Sequence, residues 1–345
     1  MTVKQEIYEK LKNTNRAMSA VELTEVGDFG ERTYVSKLLG QLVDEGKVKS
    51  IQNGRNVYYE VIDMNILVDE DVVLSGLDEE IFWNKLRESG DFLSGLSEQA
   101  ENALYFGFTE MLNNAIDHSK SGVGHIKIWR EKGVVKFIVR DRGIGIFRNV
   151  MAKRGLPDEI TAIQDVLKGK LTTVPSFHSG EGIFWTSKIA DRLVISSYDY
   201  RLTVDSLMGD YAVEKLDEGE EVLGTEVYFE IAEDTDKSLV RLFREFSFDK
   251  ESLTLDTTVI PVELYKEGEV WISRSQAKKV LAGLEKFKKI IFDFKGIKMV
   301  GQGFADEIFR VFNIQHPEIV LEAVNMNESV RLMVEHARND QTGRG

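Results

Sequence analysis

The 345-residue chain has no cysteine, which excludes disulfides, thiolate metal sites and cysteine nucleophiles together. Its five histidines are scattered and form no zinc-type spacing. No apolar run approaches the roughly 20 residues needed to cross a bilayer. The opening Met1-Thr-Val-Lys-Gln-Glu6 lacks the apolar core of a secretory signal, so a cytoplasmic protein with no membrane partner is expected. Neither Gly-x-x-x-x-Gly-Lys-Ser/Thr nor Gly-x-Gly-x-x-Gly occurs, which removes the two commonest phosphate-binding loops. The formal net charge of −14 opposes broad, nonspecific binding of polyanions and leaves only a local nucleic-acid reader open.

What is present suffices for two or three domains with apolar cores. Val3 to Lys12 reads as a helix with Ile7 and Leu11 inward, and Ser19-Ala-Val-Glu-Leu23 as a second with a serine cap. Glu31 to Glu45 forms a third, with Val35, Leu38, Leu39, Leu42 and Val43 apolar. A strand begins at Gly46-Lys-Val-Lys49, turns at Asn53-Gly54 and returns through Asn56 to Val61. Three helices and a hairpin resemble a winged helix over residues 1–62. That resemblance implies a third helix entering a DNA major groove, with Arg32, Thr33, Tyr34, Ser36 and Lys37 facing the bases and Lys49 and Arg55 on the wing. Acidic and basic residues are equally numerous over this stretch, so the phosphate-binding footprint is thin and a protein-docking role stays open.

The central region carries the chemistry. A helix from about Glu98 to Ser119 has an apolar stripe of Leu104, Phe108, Met111, Leu112 and Ala115. Glu110, Asn114 and His118 follow one another at i, i+4 and i+8, a polar line beside the stripe. Half-buried acids and carboxamides are costly without partners, so this line is either a site or a solvent-facing seam. Gly124 to Arg130 and Val134 to Arg140 read as a hairpin turned at Lys132-Gly133. It delivers Asp141-Arg-Gly143-Ile-Gly145 to a strand end, where an aspartate can accept a hydrogen bond from an exocyclic amine. The two glycines there allow close backbone approach to a ligand. Gly180-Glu-Gly182 then leads into a helix whose first N–H groups suit phosphate oxygens, and Gly224-Thr225 opens a strand to Ile231.

In this order the four elements resemble the GHKL superfamily of ATP-binding domains, which includes gyrase-type ATPases, HSP90-type chaperones, histidine kinases and anti-sigma-factor serine kinases. The likeness spans about Leu77 to Ala232. It implies ATP and Mg²⁺ as ligands, Asn114 as the magnesium-holding asparagine, Glu110 as the general base and Asp141 as the adenine reader. Gly143 and Gly145 match the first glycine box, Gly180 and Gly182 the second, and Thr225 the late threonine beside adenine. Phe147 to Phe177 would be the ATP lid, with Lys153, Arg154, Lys168 and Lys170 as candidate phosphate contacts or solvated charges. Magnesium takes only one or two protein ligands beside phosphate and water, so a single Asn oxygen is a sufficient protein contribution. His118 is read as closing the helix end.

The C-terminal stretch alternates strand and helix: a strand at Glu269 to Ile272, a helix from Arg274 to Phe287, a strand at Lys289 to Phe294, a helix from Phe304 to Phe312, a strand from Glu318 and a helix from Glu328 to Ala337. This resembles a STAS-like domain, the fold of anti-sigma-factor antagonists. At the helix start, where those antagonists carry a phosphorylatable hydroxyl, this chain has Gly301-Gln302-Gly303, so a docking or regulatory module is expected. The expected fold is α/β and α+β in several domains: a winged helix (1–62), a linker (63–76), a GHKL α/β sandwich with a mixed sheet and helices on one face (77–250), a small STAS-like α/β domain (251–338) and a disordered tail (339–345). The resemblances imply an ATP- and Mg²⁺-binding regulator, either a slow ATPase or a serine/threonine kinase. DNA, a protein phosphoacceptor and a second copy of the chain are its candidate partners, and a non-enzymatic ATP-sensing transcriptional regulator or scaffold is the alternative.

Overall fold

The computed structural model describes residues 2–14, 16–61, 64–88, 91–170, 181–248, 254–265 and 274–339. The chain divides into two compact units, Met1–Leu67 with Trp129–Val134, and Val68–Ile128 with Val135–Gly345.

In the first unit, helices α1 (Val3–Thr14), α2 (Ala20–Val26) and α3 (Arg32–Asp44) accompany strands β1 (Met18–Ser19), β2 (Val48–Asn53) and β3 (Asn56–Val61), with sheet order β1-β3-β2. The short α2 depends on its start: Ser19 Oγ accepts from the Glu22 N–H at 3.2 Å while Glu22 accepts from the Ser19 N–H at 2.7 Å, a reciprocal capping box. The Ser19 N–H and the nearby Arg16 hold the Glu22 carboxyl below its ordinary range. Pairing of Asn53 with Asn56 leaves Gly54-Arg55 as a two-residue loop, with Gly54 at φ +61°. The turn therefore lies one residue later than expected, because glycine takes the left-handed first loop position. Ile7, Leu11, Leu23, Val35, Leu39 and Val48 close the core.

Next come strand β4 (Met64–Val73), helices α4 (Glu79–Glu88) and α5 (Glu98–His118), and the hairpin β5 (Val123–Glu131) and β6 (Val134–Asp141). Helices α6 (Ile146–Arg154), α7 (Glu159–Lys168) and α8 (Gly182–Ile189) precede β7 (Arg192–Tyr198), β8 (Tyr200–Asp205), β9 (Asp210–Lys215), β10 (Val222–Ala232) and α9 (Leu239–Phe246). The seven strands form one sheet in the order β4-β5-β6-β10-β7-β8-β9. The expected linker over 63–76 is thus largely strand. Two of its acids are paired with β5: Asp69 lies 3.0 Å from Lys127, and Asp71 2.9 Å from His125.

Alternation along β6 and β10 buries Val135, Phe137, Val139, Val227, Phe229 and Ile231 on one face. The helices cover this face, and the aromatic contacts show how: Phe108 of α5 meets Phe137 edge-on with centroids 5.6 Å apart, and Phe137 stacks on Phe229 at 4.7 Å. A Cβ on Gly107 would stand 2.9 Å from the Phe229 ring, so this glycine lets α5 lie close on the sheet.

The C-terminal portion holds a parallel sheet of β11 (Thr257–Pro261), β12 (Lys289–Asp293) and β13 (Val320–Val324). Around it lie α10 (Arg274–Leu281), α11 (Gln302–Asp306) continuing through a π-helical turn at Glu307–Phe312, and a last helix, Glu328–Asn339. Strand β11 was not foreseen; the strand expected at Glu269 to Ile272 lies outside the described residues, as does the expected tail apart from Asn339. The core of this portion extends into the elements before it. Phe184 and Trp185 of α8 and Phe246 of α9 pack in one cluster with Ile260, Phe292 and Phe309. Phe184, fully buried, should cost about 3–5 kcal/mol when changed to Ala. Because Trp185 lies in the same cluster, Phe184→Ala should lower the urea midpoint of the transition read by tryptophan fluorescence.

Candidate functional site

Ser97 fixes the start of α5: its Oγ accepts from the Ala100 N–H at 3.0 Å and donates to the Thr235 carbonyl at 2.9 Å. The far half of α5 then forms one wall of a cavity of about 370 Å³, a size in the range of small-molecule sites, about 300–1,000 Å³. Glu110 and Asn114 line it half-buried, and His118 lines it exposed at the helix end.

The opposite wall is the end of β6 and the start of β10. Asp141 is 4 % exposed, and burial pushes its carboxyl above the ordinary range, while the Gly143 N–H, 2.7 Å away, and Thr225 act in the opposite direction. Thr225 Oγ1 also accepts from the Ile146 N–H at 3.0 Å, so it ties β10 to the start of α6. Gly224, at φ +84°, has no room for a side chain: a Cβ would stand 2.4 Å from the Asp141 carbonyl. Tyr198 supports the turn from behind, donating from its hydroxyl to the Gly143 carbonyl at 2.8 Å under the Arg148 guanidinium, which stacks 3.5 Å from the ring. Tyr198 adopts φ +48°, a strained conformation for a bulky residue.

Glu110, Asn114, Asp141, Gly145, Gly182 and Thr225 therefore line a single cavity. Gly143 was expected to let backbone approach a ligand, but it stands behind the wall. A Cβ there would fall 1.9 Å from the Ser119 carbonyl, so its bareness serves the packing of the turn against the end of α5. Gly182 opens α8 directly against the acid, where a Cβ would lie 1.9 Å from Glu110 Oε2. Gly180 lies outside the described residues.

Asn149 was missed. It is buried, lines the cavity and donates to the His118 carbonyl at 3.5 Å. Ile146, Asn149, Val150 and Lys153 share the cavity-facing side of α6 at i, i+3, i+4 and i+7, so helical periodicity could have found it. Of the four cations expected in a lid, Lys153 and Arg154 line the cavity. Lys168 and Lys170 turn instead to the C-terminal portion, donating to the carbonyls of Ala282 at 2.7 Å and Lys286 at 3.2 Å. Lys168 is buried, and a buried ammonium needs acceptors, which backbone carbonyls supply there; half-buried Lys170 lies 3.5 Å from the Asp256 carboxylate.

In the first unit, Arg32, Thr33, Tyr34 and Lys37 are exposed on α3, Ser36 is half-buried and Arg55 is exposed in the hairpin loop. Lys49 is 3.3 Å from Glu60, which offsets its charge.

Residues 99–235 match the family model described as histidine kinase-, DNA gyrase B-, and HSP90-like ATPase. Residues 276–331 match that of a STAS-like domain of unknown function. The chain thus contains a GHKL-type ATP-binding domain followed by a STAS-like domain. No curated protein matches it. Among the described residues no helix is long and apolar enough to cross a membrane.

Lys168 is 5 % exposed, and burial pushes its ammonium down to about 8. Below that pH both folded and unfolded chains hold the proton, and the folded state bears the full cost of burying it. Between pH 8 and 10 the folded chain sheds a proton that the unfolded chain keeps, so stability rises with pH. Relative to Lys168→Met, wild-type unfolding free energy in urea should gain on the order of 2 kcal/mol across that window.

Proposed function

We propose that this protein is an ATP- and Mg²⁺-dependent regulator whose central domain turns over ATP slowly, by hydrolysis or by phosphorylating a serine or threonine of a partner. The observation that carries this reading is the convergence of an acid, a carboxamide and a buried aspartate on one cavity. Asp141 is assigned to the adenine amine, with Thr225 holding it in place. Asn114 is assigned to the metal. Among the described residues no group of three or more His, Asp or Glu side chains could hold an ion, so Mg²⁺ would draw most of its ligands from phosphate and water, which fits a lone carboxamide. When bound, the ion neutralises charge on the transferring phosphoryl group. Glu110, one turn before Asn114, takes the proton of the attacking hydroxyl or water. Gly145 and Gly182 give the nucleotide room beside the backbone, and Gly180 is assigned with Gly182 by the family pattern.

Residues 1–62 are read as a winged helix that binds DNA through Arg32, Thr33, Tyr34, Ser36, Lys37 and Arg55, supported by the exposure of α3 and of the hairpin loop. The STAS-like portion is read as the docking module for a protein partner. Pairing of two copies of the chain and a cytoplasmic setting complete the proposal. A non-enzymatic ATP sensor is the second reading, in which the same cavity binds the nucleotide without turnover.

With γ-labelled ATP and Mg²⁺, Glu110→Gln should lower phosphate release or protein labelling by about 10²–10⁴-fold while nucleotide affinity holds. Asn114→Ala should lose the Mg²⁺-dependent part of binding. Wild type that binds Mg·ATP and never releases or transfers label, with candidate partners present, supports the sensor. In gel-shift titrations of wild type against Arg55→Ala, loss of one phosphate contact should flatten the salt dependence by about one unit of slope; an unchanged slope removes Arg55 from the interface.

A further inference from the structure

Helix α7 belongs to the lid segment, yet its far end is held by the C-terminal portion. Gln164 donates to the Leu264 carbonyl at 2.8 Å, Lys168 to Ala282 at 2.7 Å, and Thr258 Oγ1 donates back to the Lys168 carbonyl at 2.9 Å. Lys170 adds an ion pair with Asp256 at 3.5 Å. Gly169 makes the close approach possible: it has φ +78°, and a Cβ on it would stand 2.6 Å from Leu255.

The near end of the same chain of contacts reaches the nucleotide cavity. Arg154 lines the cavity, and its Nη1 lies 2.9 Å from Asp165 Oδ2. That oxygen has no aligned hydrogen bond among the described residues. Asp165 Oδ1 is 3.7 Å from Lys168 Nζ, and both side chains are buried. The Ala282 carbonyl, directly after α10, therefore joins the cavity through Arg154, Asp165 and Lys168. The guanidinium is shared between a cavity and a carboxylate that holds it in poor geometry. A polyphosphate offers it more charge and a bidentate fit.

We propose that Arg154 is the residue through which the terminal phosphate of a nucleoside triphosphate is signalled to the STAS-like domain. This rests on the ATP-binding reading of the cavity. Drawn to the phosphate, Arg154 leaves Asp165 as a buried carboxylate whose nearest remaining cation is Lys168, and an unpaired buried charge is costly. Lys168 closes on Asp165 and gives up the Ala282 carbonyl, so the grip of α7 on the end of α10 loosens. A diphosphate, lacking the terminal group, leaves the original pairing in place.

The test uses the full chain with Mg²⁺ and either ADP or a non-hydrolysable ATP analogue. Calorimetry gives affinity, and hydrogen–deuterium exchange is followed over residues 276–286. The analogue should raise exchange there several-fold over ADP. Arg154→Gln should abolish that difference and weaken the analogue about tenfold, while ADP affinity stays within about twofold. Asp165→Asn, checked for native circular dichroism, removes the charge that draws Lys168 away from Ala282 and should hold exchange at the ADP level with either nucleotide. Lys153→Gln removes a cation from the same cavity wall outside the relay, and should weaken binding while keeping the exchange difference. The proposal is overturned if the analogue binds wild type with exchange over 276–286 unchanged, if Arg154→Gln keeps the full difference, or if Lys153→Gln abolishes it equally. Wild type that binds neither nucleotide would remove the ATP-binding reading itself, a failure distinct from binding without a signal.

Discussion

Phe184 of α8 meets Trp185 and Phe246 edge-on, each pair with centroids 5.2 Å apart, inside the apolar cluster that also contains Ile260, Phe292 and Phe309 of the C-terminal portion. Aromatic side chains bury about 150–250 Å² each, so these rings are worth several kcal/mol of transfer free energy at about 25 cal/mol per Å². Neither the seven-stranded nor the three-stranded sheet can shed the contact without exposing that surface. Other features of the cavity inherit their placement from it, because α8 begins at Gly182 in the cavity wall and continues into the shared core.

Helix α5 is the second constraint. Gly107 lets it settle on Phe229, and Phe108 meets Phe137, which sets the rotation of the helix about its axis. With that rotation set, Glu110 and Asn114 have one direction available, toward the cavity between α5 and the ends of β6 and β10. Asp141 faces them from a position so enclosed that burial raises its carboxyl despite the Gly143 N–H. An acid kept there is expensive, and a ligand that donates to it is the natural offset.

Charge is distributed unevenly over this frame. The chain is acidic as a whole, yet Lys153 and Arg154 reach the cavity while Lys168 and Lys170 meet carbonyls of the C-terminal portion. The stretch from α6 to the end of α7 thus touches both the cavity and the C-terminal portion.

The sequence by itself determined the local elements and the kind of site. Glu110, Asn114 and His118 were legible because a helix repeats every 3.6 residues, and Asp141 because a hairpin ends where its alternation ends. The Ser19 cap, the α3 stripe and the last helix were legible for the same reason, each being short-range chemistry. Strand β4 was not: Asp69 and Asp71 meet His125 and Lys127 only across a pairing distant in sequence. Gly143 could be recognised as a required glycine, but only the fold showed that Ser119, and not a ligand, occupies the space its side chain would take. Lys168 and Lys170 carried the composition of a phosphate contact and received carbonyls 114 and 116 residues away in the chain. Periodicity reports which residues share a face; what covers that face depends on pairings distant in sequence, and those only the tertiary structure decided.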